Sequence, residues 1–261
     1  MTTPDRPHDV AGAMAAVREQ LGHLERLVNP EVRAVRAVAS EVRTPGWQRP
    51  AAGEERWPVA LAVAVAIALQ VVLPEHLIFG PTWLLPTLEG ALIVALTAAN
   101  PRKIDRKSSA LRAGSVALIA VISVANGWSS FELIKGLIRG TIGGHAGPLL
   151  SSGGSIYLTN IIVFALWYWE WDRGGPVARA HAEQPYPDFL FPQMTQDHLA
   201  PDDWRPTFID YVYVSSTNAA AFSPTDTMPL SHWAKLLMLA QSAIALATVA
   251  LVVARAVNIL K

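Results

Sequence analysis

Residues Arg205 to Lys261 read RPTFIDYVYVSSTNAAAFSPTDTMPLSHWAKLLMLAQSAIALATVALVVARAVNILK, and the reading of this stretch decides the fold. Its first half is only moderately apolar and carries Asp210, Thr217 and Asn218. The turn Ser223-Pro224-Thr225-Asp226 breaks it, and an apolar run from Trp233 to Leu260 follows. Leu236 to Val253 alone is long enough to cross a bilayer core, which takes about 17 to 25 residues. Pro206 suits the first turn of a helix capped by Asp202 or Asp203. Ser231 is placed to cap the last helix. The pattern is that of a polar helix, a turn and a long apolar helix.

The remainder of the chain agrees with a membrane class. Of 261 residues, 51% are hydrophobic and 16% charged, against roughly a quarter charged in soluble domains. Basic and acidic residues balance at 21 each, so the net charge gives no reason to expect a nucleic-acid partner. There is no cysteine, which removes disulfides, thiolate metal sites and cysteine nucleophiles. Met1 to Val10 is polar and offers no signal-peptide core, so the first apolar run is read as an internal anchor.

Residues 1–56 form a polar prefix. Met14, Val17, Leu21, Leu24 and Val28 recur at helical spacing until Pro30, and Val35, Val38 and Val42 suggest a second short helix. This cytosolic prefix is a candidate docking element for a partner. A four-span bundle is expected over 57–173. Val59 to Leu73 lies between Pro58 and Pro74, and the second run, about Thr82 to Ala99, contains Glu89. A carboxylate inside a span faces the bundle interior or a wet cavity, which makes Glu89 a candidate ion- or proton-handling group. Arg102, Lys103, Arg106, Lys107 and Arg112 crowd the next loop, which the positive-inside rule puts in the cytoplasm together with the arginine-rich prefix. The third crossing is read as one long helix through Asn126-Gly127. The fourth, Leu149 to Trp169, ends in the aromatic belt Leu-Trp-Tyr-Trp-Glu-Trp.

A proline-rich connector spans 174–204, leading to the hairpin 205–261. In the connector, Asp197, His198, Asp202 and Asp203 have carboxylate and imidazole chemistry, but their spacing matches no metal-binding pattern. The loop at 140–147 lacks the Lys-Ser/Thr of a phosphate-binding loop. No metal and no cofactor are expected. No Ser/His pair or HExxH motif in a span points to an intramembrane enzyme.

The aromatics Phe208, Tyr211 and Tyr213, the Ser215-Ser216-Thr217 end, the loop and the last helix resemble the pore module of the two-transmembrane potassium-channel-like superfamily. The same region is similar to the C-terminal part of bacterial multispanning membrane proteins of unknown function. The resemblance covers residues 206–260 and implies a pore helix, a lining helix and assembly as a homo-oligomer. Potassium selectivity in that family rests on the backbone carbonyls of a TVGYG-type strand. Here Thr217-Asn218-Ala219-Ala220-Ala221-Phe222 stands at the matching place without either glycine, so side chains would have to line any pathway: Thr217, Asn218, Asp226, Asp210 and Glu89 are the candidates.

The sequence therefore leads to an all-α integral membrane bundle of about six spans in the inner membrane, with the N-terminus in the cytoplasm and the lipid bilayer as its first partner. The alternative is five spans plus a re-entrant helix at 206–222. Two functions follow as expectations: a channel-like or transport protein, or a non-conducting scaffold or sensor that recruits a partner through its N-terminal helices.

Overall fold

A computed structural model of the chain describes residues 44–99, 103–104, 108–142, 144–195, 199–221 and 226–259, together with Gln20. The chain divides into two units, Met1–Thr44 and Pro45–Lys261. The prefix helices expected up to residue 43, most of the basic loop and the turn 223–225 lie outside the described residues.

The second unit is a helical bundle. Helix α1 (Trp57–Val71) begins with Pro58 in its first turn, where the missing N–H would have no intrahelical partner anyway. Helix α2 (Leu84–Ala99) likewise tolerates Pro86 near its start. Helix α3 (Ser109–Arg139) runs unbroken through Asn126-Gly127; Ser108 Oγ accepts from Leu111 N–H at its start, and Gly140 ends it in the left-handed conformation. Helix α4 (Ala146–Trp171) follows, then a 3-10 turn over Asp172–Gly174. The connector is more structured than its prolines predict. It holds a short helix α5 (Pro176–Ala180), a two-residue strand and a 3-10 turn at Pro192–Met194. Helices α6 (Phe208–Ala221) and α7 (His232–Ile259) complete the chain. Among the described residues, α3, α4 with its 3-10 turn, and α7 are long and apolar enough to cross a membrane; α1 and α2 are shorter apolar helices.

Two small antiparallel ribbons mark one end of the bundle. Strand β1 (Glu54–Glu55) pairs with β2 (Lys103–Ile104), joining the start of α1 to the end of α2. Strand β3 (Phe189–Leu190) pairs with β4 (Met228–Pro229), Phe189 opposite Pro229. We call this the ribbon end. At the far end Leu77, Leu133, Leu149 and Val252 form their own apolar cluster. Helix α4 is central and packs on α1, α3, α6 and α7. Gly153 permits its close approach to α7, since a Cβ there would come within 2.8 Å of Val252 Cγ2.

The directions of α6 and α7 follow from these contacts. Tyr211, in the first turn of α6, donates to Asp172 at the end of α4, and Trp233, in the first turn of α7, donates to Asp188 beside β3. Further along, Asn218 meets Met238 and Gln241. Both helices therefore start at the ribbon end and run parallel. Two successive crossings would run antiparallel, so the hairpin expected from the sequence is not what the chain forms. At 1.5 Å per residue, α6 stops level with the middle of α7.

One backbone site ties the end of α4 to this arrangement. Gly175 adopts φ 97°, and a Cβ there would lie 2.7 Å from the Glu170 carbonyl oxygen. Gly175→Ala is expected to cost about 1–3 kcal/mol and lower the thermal midpoint seen by far-UV circular dichroism in detergent. Gly127→Ala, where a Cβ meets nothing within 4 Å, should leave the midpoint unchanged or raise it, because alanine is the better helix former.

Candidate functional site

Helix α6 has two unlike faces. Tyr211, Val214, Ser215, Asn218 and Ala219 are buried toward α4 and α7, at the three- and four-residue spacing of one helical face. Ile209, Tyr213 and Ala220 point outward.

The inward face is held by a hydrogen-bonded network centred on Gln241, which is fully buried. Gln241 Oε1 accepts from Tyr168 Oη at 2.6 Å and Asn218 Nδ2 at 2.8 Å. Gln241 Nε2 donates to the Ser215 carbonyl at 2.9 Å and to Ser215 Oγ at 2.7 Å. Ser215 Oγ donates to the Ile161 carbonyl of α4 at 2.7 Å, and Asn218 Nδ2 also donates to the Met238 carbonyl at 2.9 Å. Ser242 Oγ donates to Asn218 Oδ1 at 3.1 Å. Gln241 thus uses both donors and both lone pairs. A buried polar network stabilises only when its members are satisfied, and this one docks α6 onto both neighbours at a defined depth.

The entry of α6 is fixed by charge. Asp210 accepts from Thr207 N–H at 2.7 Å and from Thr207 Oγ1 at 2.9 Å, half of a capping box one residue before the helix. Tyr211 Oη donates to Asp172 Oδ2 at 2.6 Å. The other oxygen of Asp172 accepts from the backbone N–H of Asp188 at 2.8 Å. Arg179 donates through Nη1 to the carbonyls of Trp169 and Asp172 at 2.7 and 2.8 Å, and through Nε to Glu54 at 2.9 Å. Burial of this guanidinium favours its neutral form, but Glu54, Tyr211 and Asp172 around it outweigh that and hold its pKa above the ordinary value. Arg173, in the left-handed region at φ 52°, is over-determined by bonds to the Trp47 and Gln184 carbonyls.

The five candidate residues divide. Asn218 belongs to the network. Thr217 sits half-buried on the flank and returns its hydroxyl to the Tyr213 and Val214 carbonyls at 2.9 and 3.1 Å. Asp210 caps α6. Asp226 is exposed where the chain comes back toward β4. Glu89 is separate: fully buried on α2, its two oxygens face Gln70 Nε2 of α1 at 3.3 and 3.2 Å. The structure does not bring Glu89 to the α6 residues. Among the described residues there is no group of three or more side chains suited to a metal ion; Asp197 and His198 lie outside them.

Gln241 is visible in the sequence as the one carboxamide between Leu236 and Val253, a common sign of interhelical bonding. The Asp172, Arg179 and Tyr211 set had no comparable signal, because its members are far apart in the chain.

Replacing Gln241 with leucine removes the hub: the buried Tyr168 hydroxyl loses its acceptor, and Ser215 and Asn218 each lose one of their partners in an apolar interior. A loss of about 2–4 kcal/mol is expected from the unsatisfied groups, read as a lower midpoint in detergent melts. Thr217→Val, which removes only a hydroxyl bonded within its own helix, is expected to change stability by less than about 1 kcal/mol. Compared with known proteins, the chain matches no family model, no curated protein and no solved structure.

Proposed function

We propose that the protein is a channel-like integral membrane protein in which α1, α2, α3, α4 and α7 cross the bilayer and α6 is re-entrant. One observation carries this reading: α6 and α7 start at the same end, so α6 ends at mid-depth beside α7. A helix that stops inside a bilayer leaves its last carbonyls and the negative end of its dipole there. Broken helices of this kind are tolerated only where they are buried in protein or line a wet cavity, and a helix C-terminus at mid-depth favours a cation.

Helix α6 itself carries no basic residue. The network around Gln241 makes Asn218 a wall residue that holds α6 in place. The pathway then belongs to the opposite face, with Thr217 on its flank and Asp226 at its mouth. That face is on the outside of a single chain, so the pathway lies between copies of a homo-oligomer. Without the two filter glycines, selection among monovalent cations rests on side chains and is weak. Glu89, paired with Gln70, serves the α1–α2 contact.

The positive-inside rule places the ribbon end, with Lys103 and its basic neighbours, in the cytoplasm of the inner membrane. With five crossings the C-terminus is on the opposite side. Six crossings would return it to the cytoplasm.

Two measurements test this. A cysteine placed at Lys261 in the cysteine-free chain is expected to react with an impermeant maleimide added outside intact cells, while one placed at Lys103 is protected; protection of both would overturn the re-entrant topology. In liposomes the purified protein is expected to pass potassium and sodium, and Asp226→Ala to lower the flux about tenfold, equivalent to about 1.4 kcal/mol. Silent liposomes with folded protein would overturn conduction.

A further inference from the structure

Below the β1–β2 ribbon, α1, α2, α3 and α4 part around a cavity of about 320 Å³, within the range that small-molecule sites occupy. Its floor is apolar, formed by Val59, Val63, Leu96, Leu118 and Leu166. Its mouth is polar, with Arg56, Arg112 and Glu170 facing Ser108 and Ser109 at the start of α3. None of these groups takes part in the Gln241 network or in the outer face of α6.

Glu170 is the group that needs explaining. Its side chain is 3% exposed, and its carboxylate accepts no hydrogen bond among the described residues. The charges that act on it are those of Arg179, Arg112 and Arg56, opposed by the Glu54 carboxylate. Arg179 is already occupied by Glu54 and two carbonyls. A buried carboxylate without a donor is costly, and what it faces is the cavity. On the other side of the mouth, Arg112 stands exposed in the first turn of α3, where the helix also presents backbone N–H groups and the positive end of its dipole. The mouth therefore offers an anion-binding side and, across from it, a buried acceptor for a positively charged donor, above an apolar well.

We propose that this cavity is a binding site for a phospholipid whose headgroup carries both a phosphate and a primary ammonium. The phosphate lies between Arg112 and the start of α3. The ammonium donates to Glu170, and one acyl chain enters the well between the helices. The inference rests on the membrane reading of the chain and not on conduction. A quaternary ammonium headgroup has the charge but no N–H to donate, and a glycerol headgroup has hydroxyl donors but leaves a net negative charge beside Glu170.

The test is native mass spectrometry of the detergent-purified protein incubated with phosphatidylethanolamine, phosphatidylcholine and phosphatidylglycerol of matched chains. Phosphatidylethanolamine is expected to be retained about tenfold over the other two, the size of a single well-made charged contact. Glu170→Gln should abolish the preference over phosphatidylglycerol, Arg112→Ala should lower retention of all three, and Leu118→Trp should block the well. Equal retention of the three lipids, or a preference that survives Glu170→Gln, overturns the proposal. Should Glu170→Gln fail to fold, unchanged retention in Arg112→Ala, at an exposed position, overturns it as well.

Discussion

Asp172 is wholly buried at the point where α4 ends, and its oxygens accept from Tyr211, from the backbone of Asp188 and from that of Phe189. Those three bonds join the end of one helix, the start of α6 and the strand that pairs with β4. Asp188 in turn accepts from Trp233 at the start of α7. A buried carboxylate requires such donors, because each unmet hydrogen bond in a poorly solvated site costs about 1–3 kcal/mol. With Asp172 satisfied, α6 and α7 must both begin beside it. The parallel arrangement of the last two helices, and hence the depth at which α6 stops, follows from that requirement.

The network around Gln241 then fixes what the Asp172 cluster only starts. Polar groups on a helix in an apolar setting face either one another or an aqueous path. The Ser215 and Asn218 groups do the former, and their bonds leave the opposite face of α6 as the one free of structural duty. Pattern alone does not separate these two uses, since Thr217 and Asn218 are adjacent in the chain yet point about 100° apart around the helix.

This explains how much was legible beforehand. The long apolar runs of α3, α4 and α7 stand out by length and composition. The hairpin at 205–261 was equally visible as two helices and a turn. Their relative direction was not, because it is set by bonds between Tyr211 and Asp172 and between Trp233 and Asp188, separations of 39 and 45 residues. Local signals also misplaced caps. Asp202 and Asp203 were the expected cap of α6, where Thr207 and Asp210 serve instead, and Ser231 Oγ, expected to cap α7, is buried without a partner. Glu89 was conspicuous as a charge among apolar residues, but its neighbour Gln70 lies on another helix.

The aromatic belt has a consequence for observing the molecule. Of the nine tryptophans, Trp83 and Trp128 belong to the far end, while the other seven gather toward the ribbon end. There Trp171 packs against Trp167 and Trp233, with ring centres 4.6 and 5.5 Å away, and Trp47 lies over the Arg173 guanidinium. Intrinsic emission from this protein is therefore weighted toward one half of the bundle. A loosening confined to the far end is nearly dark in fluorescence although it melts helix, and the two optical signals follow different halves of the same chain.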